Sequence, residues 1–204
     1  KSIGESCFAG CSSLTRIEFP SNLKMISWGT FYGCCSLKEV KIPSSVKSIE
    51  DNAFNGCCSL KELKLNSSIK SIGSFAFSEC SSLTEIEIPS SVKTIGESAF
   101  SKCTSLIKIE ILSSTIEKVC ESTFSGCSSL TTMEIPSSVN SIENEAFSGC
   151  SSLIEARIPS SVISIGNSAF YKCTSIVDVE VGENVQSIGE FCFYGCSTLA
   201  ELKI

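Results

Sequence analysis

A phenylalanine followed three positions later by a cysteine recurs through the whole chain at a nearly constant interval. Successive cysteines of this series lie 23 residues apart, with one interval of 24. They are Cys11, Cys34, Cys57, Cys80, Cys103, Cys127, Cys150, Cys173 and Cys196. The phenylalanines are Phe8, Phe31, Phe54, Phe77, Phe100, Phe124, Phe147, Phe170 and Phe193. Such a repeat indicates a solenoid, because a unit this short cannot bury its own apolar face and must stack on its neighbours.

Each unit also contains a segment in which apolar and polar residues alternate. In the fifth repeat, Ile109 and Ile111 flank Glu110. This period of two predicts a short strand with one buried face, near residues 15–19, 38–42, 61–65 and onward at the repeat interval. Proline follows the strand in five repeats, and it marks the strand's end because it cannot donate to a ladder. One strand per repeat is therefore expected.

The segment between the strand regions has a different character. Glu97–Cys103, in the fifth repeat, is predicted to be one turn of α-helix or 3₁₀-helix. A glycine directly before the cysteine suits a left-handed backbone conformation at the end of this segment. It occurs at Gly10, Gly33, Gly56, Gly126, Gly149 and Gly195.

Written out, the repeat is L-x-x-I-x-I-P-S-S-V-x-x-I-G-x-x-A-F-x-x-C, which closely resembles the BspA-like, or Treponema pallidum-type, leucine-rich repeat. The resemblance covers the entire chain. It implies a leucine-rich-repeat solenoid of the α/β type: a curved right-handed superhelix with a parallel β-sheet on its concave face and short helical or 3₁₀ turns on its convex side. The sixth repeat departs locally, with Leu112 for proline, Cys120 for glycine and an extra residue near Thr115.

No linker interrupts the repeats, so residues 1–204 are expected to form a single domain of about nine 23-residue repeats. The chain begins inside a repeat at Lys1 and stops after a strand at Ile204, and it is therefore expected to be an excerpt of a longer protein. It contains no run of about eighteen apolar residues and no targeting signal. We expect no direct membrane insertion by this segment.

The composition argues against several functions. A net charge of −6 disfavours a nucleic-acid groove. The absence of histidine removes the commonest general base and metal ligand, and it leaves the many serines without a base. An open sheet also lacks the water-poor cleft in which paired carboxylates acquire separate pKa values. The sequence predicts a non-enzymatic protein with no catalytic residues, no cofactor and no metal.

The 14 cysteines divide into two groups. Those of the periodic series are expected to be buried, reduced thiols that pack as small hydrophobes. Cys7 and Cys192 replace a small core alanine and are expected to be buried too. Cys35 and Cys58 replace a serine in adjacent repeats, so they are expected to be stacked and exposed, and they are candidates for a bridge or a reactive pair. The cysteine count alone does not establish an oxidising compartment.

Two groups of residues are candidate protein-binding sites. The first is an acidic patch on the outward side of the central strands, formed by Glu85, Glu87, Glu110 and Glu134. Such a patch attracts a partner with basic groups, or it simply keeps an exposed sheet soluble.

The second candidate is an aromatic group formed by Phe191, Tyr194 and Tyr171, which are expected to be neighbours. Exposed aromatics mark an interface, or they cover the edge of the next repeat.

The open repeated surface predicts a protein-binding scaffold. The resemblance implies a location at the cell surface or secretion, because BspA-like repeats occur on surface proteins of oral and gut bacteria and of mucosal protist parasites. It also implies the role of an adhesin or antigen that contacts host proteins or cells. An intracellular interaction scaffold and a passive spacer for another domain are the alternatives, and the sequence leaves the ligand and the oligomeric state open.

Overall fold

The computed structural model describes residues 2–204, which form a parallel β-solenoid of short strands numbered in chain order. Two series of strands alternate along the chain. The face strands are β1 (Arg16–Ile17), β3 (Glu39–Lys41), β5 (Glu62–Lys64), β7 (Glu85–Ile88), β9 (Lys108–Ile111), β12 (Glu155–Arg157), β14 (Asp178–Glu180) and β16 (Glu201–Lys203). The flank strands are β2 (Met25–Ile26), β4 (Ser48–Ile49), β6 (Ser71–Ile72), β8 (Thr94–Ile95), β10 (Lys118–Val119), β11 (Ser141–Ile142), β13 (Ser164–Ile165) and β15 (Ser187–Ile188).

The face strands lie where the alternating pattern predicts them. Each pairs in parallel with the equivalent strand of a neighbouring repeat, so that Val40 lies beside Leu63 and Ile86 beside Ile109. In the inner face strands the apolar residues are mostly buried and the charged ones point outward, as in the buried Ile109 between the exposed Lys108 and Glu110. The parallel sheet at the predicted positions is confirmed. The curvature and right-handed sense of the superhelix stay predictions of the resemblance.

The face sheet is divided into three parts, β1-β3-β5, β7-β9 and β12-β14-β16. The break between β9 and β12 falls in the irregular sixth repeat, where the structure assigns only an isolated bridge between Lys108 and Thr132. Leu112 replaces the strand-ending proline there, and Ser113 donates a hydrogen bond from Oγ to the Val92 carbonyl at 2.5 Å. The bridge keeps Thr132 in the regular register with Lys108, so the extra residue is accommodated before it, where the flank strands β8 and β10 are also not paired.

The flank strands correct the prediction of one strand per repeat. They form a second parallel ladder, as in the pairing of Ile72 with Ile95. Each is only two residues long, with an isoleucine or valine as its second residue. A two-residue strand contains no full period of alternation, so the sequence pattern indicated an apolar edge here and not a strand.

The prediction of short helical turns is wrong: residues 2–204 contain no helix. In the fifth repeat, Ser98 and Lys102 have positive φ angles of +53° and +57°, which interrupt a right-handed helix. The backbone N–H groups alternate between two partners. Ala99 donates to Gly96 of its own coil, whereas Phe100 donates to Thr123 of the next coil. Every second backbone N–H group of this segment therefore donates to the neighbouring coil and is not available for a hydrogen bond within a helix.

The core is a set of stacked columns that run through the repeats. The rings of Phe54 and Phe77 lie 5.5 Å apart at 6°, and those of Phe31 and Phe54 lie 5.2 Å apart at 9°. The glycines before the cysteines have φ angles between +68° and +76°, which confirms their predicted left-handed conformation. Glu79 and Lys102 occupy the same column with φ angles of +61° and +57°. The left-handed backbone conformation at this position is therefore imposed by the coil, whether or not the residue is glycine.

Candidate protein-binding surface

The predicted acidic patch lies on the outward side of the central face strands. Glu85 pairs with Lys108 and Glu87 with Glu110 in the register of β7 and β9. Glu134 follows in the sixth repeat, close after the bridged Thr132. All four glutamates are exposed. The structure therefore brings the four predicted residues onto one surface, which we call the strand face.

The charge of this patch is only partly compensated within the chain. Lys108 Nζ lies 3.2 Å from Glu110 Oε2, and both side chains are largely exposed. Among the ion pairs of residues 2–204, none includes Glu85, Glu87 or Glu134. Exposed pairs of this kind contribute little to stability. The carboxylates are therefore free to meet cationic groups of another molecule.

Two open hollows on the strand face are lined by these glutamates. The smaller has a volume of about 330 Å³, and its lining includes Glu85, Glu87 and Glu110. The larger has a volume of about 1040 Å³ and includes Glu110 and Glu134 in its lining. It also contains Met133 and Ile135 of the interrupted sixth repeat. The break in the face sheet thus coincides with the larger of the two hollows.

An apolar stripe beside the acidic patch was missed by the sequence reasoning. Ile107, Ile154 and Val177 are 47%, 51% and 46% exposed. They belong to one column, because Ile154 donates from its backbone N–H to Thr131, and Thr131 donates to Ile107. The signal was available in the sequence, since the second and third repeats have lysine in this column. Its position directly before the face strands places the stripe along the border of the strand face.

The predicted aromatic group is a real cluster. The rings of Tyr171 and Tyr194 are stacked at 5.4 Å and 9°, and Phe191 meets Tyr194 edge-on at 6.0 Å and 82°. Phe191 and Tyr194 are 62% and 58% exposed. Lys172 Nζ lies 5.1 Å from the Tyr171 ring centroid, a cation–π contact.

The two candidate sites are separate surfaces. The aromatic cluster lies on the turn segments of the last two repeats, next to the phenylalanine column. The acidic patch lies on the face strands of the central repeats. The two candidate sites therefore lie on different elements and in different repeats.

The periodic cysteines have a structural role that the sequence did not reveal. The Sγ–H of Cys57 donates to the Phe31 carbonyl at 3.3 Å, and that of Cys103 donates to the Phe77 carbonyl at 3.1 Å. Burial raises the pKa of these thiols, to about 12 at Cys127. Their predicted burial is confirmed for Cys34, Cys57, Cys80, Cys103, Cys127, Cys150 and Cys173. It is wrong for Cys11, which is exposed in the first coil, and Cys196 in the last coil is half-buried.

The cysteines outside the series differ from one another. Cys192 is buried as predicted. The prediction for Cys7 is wrong, since it is exposed: the first coil has a stacked neighbour in this chain on one side only. Cys35 is exposed and Cys58 half-buried, and their sulfur atoms lie 3.9 Å apart. All described cysteines are free thiols.

These repeats define a class of protein, the leucine-rich-repeat solenoids. The chain belongs to the family described as the BspA type leucine rich repeat region, whose model matches residues 1–129 and 99–204. Proteins of this repeat class are generally non-enzymatic scaffolds, consistent with a protein-binding role. No curated protein sequence is significantly similar to the chain.

Several solved structures share the fold. A leucine-rich repeat protein from Bacteroides ovatus is 28% identical, with a TM-score of 0.74 over 97% of this chain and 68% of that one. A leucine rich cell surface protein from Faecalibacterium prausnitzii is 28% identical, with a TM-score of 0.59 over 89% and 69%. The leucine-rich repeat protein of T. pallidum is 27% identical, with a TM-score of 0.60 over 97% and 71%.

Residues 2–204 include no helix with the length and apolar character that a membrane crossing requires.

Proposed function

We propose that this chain is a non-enzymatic scaffold whose strand face binds a protein partner with basic character, at the cell surface or in secreted form. In this role it is an adhesin or antigen that contacts host proteins or cells. The observation that carries the proposal is the pair of hollows lined by Glu85, Glu87, Glu110 and Glu134. Three of these carboxylates lack an ion-pair partner within residues 2–204. The similarity to a cell surface protein of F. prausnitzii supports the location.

The physical basis is electrostatic attraction at an open surface. Uncompensated carboxylates speed the encounter with a cationic partner and favour it over anionic ones. The same charge, within a net charge of −6, disfavours nucleic acid as a partner. These side chains are exposed, so dissolved salt screens their attraction to a cationic partner. The screening length is about 8–10 Å at physiological ionic strength. Binding is therefore expected to weaken as the salt concentration rises.

The test replaces the four patch glutamates together with glutamine. Binding is measured to a panel of purified extracellular proteins and to cultured epithelial cells, at low and physiological salt. The matched control replaces four exposed glutamates of the turn segments with glutamine, namely Glu97, Glu121, Glu145 and Glu190. Both variants change the net charge equally. We expect the patch variant to lose binding and salt dependence, and the control to keep both.

If the patch variant binds as tightly as the wild type and with the same salt dependence, the acidic patch is not the binding site. The aromatic cluster is then tested by replacing Phe191, Tyr194 and Tyr171 with alanine. If that variant also binds normally, the segment acts as a spacer. Labelling of intact cells with an antibody against the chain separates a surface role from an intracellular scaffold.

The apolar stripe is expected to add contact area that salt does not weaken. Ile154 and Val177 are changed to threonine, which the same column already contains at Thr84 and Thr131. We expect this variant to bind less tightly at every salt concentration while its salt dependence stays unchanged. An unaltered affinity would exclude the stripe from the interface.

A further inference from the structure

Two cysteines of adjacent repeats meet at the surface. Cys35 and Cys58 occupy the same column, and their Sγ atoms lie 3.9 Å apart. The rings of Phe31 and Phe54, from the same two coils, stack at 5.2 Å. Coils stacked at this spacing keep equivalent Cα atoms within the 4.4–6.8 Å that disulfides accept. Closing the sulfur–sulfur distance from 3.9 Å to the roughly 2.05 Å of a disulfide requires rotation of both side chains and a small approach of the two coils.

The rest of this column shows what is unusual about the pair. Other repeats have serine or threonine here, and their hydroxyls donate to the coil before them, as Ser81 Oγ does to the Cys58 carbonyl at 3.4 Å and Ser151 Oγ to the Ser128 carbonyl at 3.2 Å. Cys58 Sγ instead contacts Cys35 Sγ and the Gly56 carbonyl, the latter at 3.2 Å. Cys35 Sγ lies 3.5 Å from the same Gly56 carbonyl. The two thiols thus contact each other and share one backbone acceptor, whereas the hydroxyls of this column donate to the preceding coil.

Accessibility separates this pair from the buried thiols beside it. Cys34 and Cys57 are 0% exposed, and their Sγ–H groups are held by main-chain carbonyls. Cys35 is exposed and Cys58 half-buried. A small reagent therefore reaches Cys35 first, whereas the neighbouring buried thiols stay protected.

We infer that Cys35 and Cys58 form a dithiol modification site that reacts with small-molecule disulfides of the glutathione class. The Cys35 thiolate attacks one sulfur of the small disulfide, which breaks its S–S bond, forms a mixed disulfide and releases one small thiol. Cys58 then attacks Cys35 Sγ, forms the Cys35–Cys58 bond and releases the second small thiol. The two protein thiols are oxidised and the small disulfide is reduced to two thiols. The protons of the protein thiols pass to the leaving thiolates.

The surroundings set the order of the two steps. Burial raises the pKa of Cys58, and the hydrogen bond to Cys35 adds to this effect. Cys35 is exposed whereas Cys58 is half-buried, so a small disulfide reaches the Cys35 sulfur first. Cys35 is thus the attacking residue and Cys58 the resolving one. The product ties the second coil to the third beside β3 and β5, independently of any partner on the strand face.

The experiment treats the reduced protein with oxidised glutathione, blocks the remaining thiols and maps tryptic peptides by mass spectrometry. Trypsin places the cysteines in two peptides, residues 25–38 and 48–61, because lysine lies at positions 24, 38, 47 and 61. We expect the wild type to yield these two peptides joined by one disulfide. A variant with Cys35→Ser is expected to leave Cys58 unmodified. One with Cys58→Ser is expected to accumulate glutathione on Cys35.

Serine is the residue that most other repeats have in this column, so both variants are expected to fold, which a thermal unfolding curve verifies. The double variant measures the background from Cys7 and Cys11, which are exposed elsewhere. Stable glutathione on wild-type Cys35 with Cys58 still free would overturn the proposal. So would a lack of reaction at Cys35, or a cross-link that persists in the Cys35→Ser variant.

Discussion

At the residue scale, one carbonyl oxygen explains why phenylalanine and cysteine recur together. The Phe77 carbonyl accepts the backbone N–H of Cys80, three residues later, at 3.3 Å. It also accepts the Sγ–H of Cys103 in the next coil at 3.1 Å. The cysteine is thus a hydrophobe small enough for the column and a donor for a buried acceptor. Alanine would fill the space but leave that acceptor with one partner fewer.

The phenylalanine column is expected to carry much of the stability. Phe100 is 0% exposed and stacks on Phe77 at 5.5 Å and Phe124 at 5.8 Å. The substitution Phe100→Ala removes both contacts and leaves a cavity that neighbouring coils cannot fill. We expect a loss of roughly 3–5 kcal/mol in the free energy of unfolding. The measurement is the midpoint of urea denaturation.

Phe191→Ala is the control for this prediction, because that ring is 62% exposed. Its effect is expected to stay within about 0.5 kcal/mol, as for most surface substitutions. A Phe100→Ala midpoint equal to that of wild type would show that the ring does not contribute to the core.

At the element scale, the turn segments illustrate how stacking overrides local preference. The sequence from Glu97 to Cys103 suits a helical turn, yet Ser98, Phe100 and Lys102 donate their N–H groups to the next coil. The competing partners lie 23 residues away in the sequence, so no local pattern reveals them. The same ladder fixes the close approach of neighbouring coils.

That close approach leaves little room for a side chain at some glycines. A Cβ added at Gly96 would lie 2.5 Å from the Ser74 nitrogen and 2.7 Å from the Gly73 carbonyl carbon. Both are backbone atoms that move only if the coils separate. We therefore expect Gly96→Ala to destabilise the protein by about 1–3 kcal/mol, as overpacking does in general. Thermal unfolding followed by circular dichroism measures the change.

Gly4 provides the matched control, since an added Cβ there meets no atom within 4 Å. Gly4→Ala is expected to leave the unfolding temperature nearly unchanged. An equal loss of stability for both substitutions would show that the close approach of the coils at Gly96 is not the cause.

At the scale of the whole molecule, the buried thiols form a column of groups with raised pKa values. Burial raises the pKa of Cys127 to about 12, and it raises those of Cys80, Cys103 and Cys150 well above the ordinary value. In the unfolded chain these thiols ionise near pH 8.5. Above that pH the unfolded state releases protons that the native state retains, so alkaline conditions favour unfolding.

The expected result is a loss of stability that starts near pH 8.5 and continues to about pH 12. The stabilisation by the buried thiols is fully present below their pKa in the unfolded chain. It is lost as the pH rises towards their pKa in the folded protein. Each buried thiol adds about 1.4 kcal/mol per pH unit to the slope. Urea denaturation under reducing conditions at a series of pH values measures it. Cys103→Ala is expected to reduce the dependence of the unfolding free energy on pH by the contribution of one thiol, about 1.4 kcal/mol per pH unit. An unchanged pH dependence would show that Cys103 does not retain its proton in the native state.

Native thiol titration tests the same column directly. The reagent is expected to react with the exposed Cys7, Cys11 and Cys35 in the folded protein and with the buried series only after denaturation. Rapid labelling of Cys103 in the native state would show that the coils open.

The features that repeat follow from the amino-acid sequence alone. Residues of equal position occur in every unit, so the face strands, the buried columns and the left-handed glycines such as Gly126 follow from period and pattern alone. The sequence also identified the acidic patch and the aromatic group, because equivalent positions of adjacent repeats must be neighbours in space.

The features that depend on contacts between coils become visible only in the three-dimensional structure. The flank strands, the absence of helix at Glu97–Cys103 and the sheet break at Thr132 all arise from backbone partners in other repeats. The contact between Cys35 and Cys58 and the hollows over Glu110 likewise required distances. A periodic sequence specifies which residues stack, but the backbone hydrogen bonds between stacked coils set the local conformation.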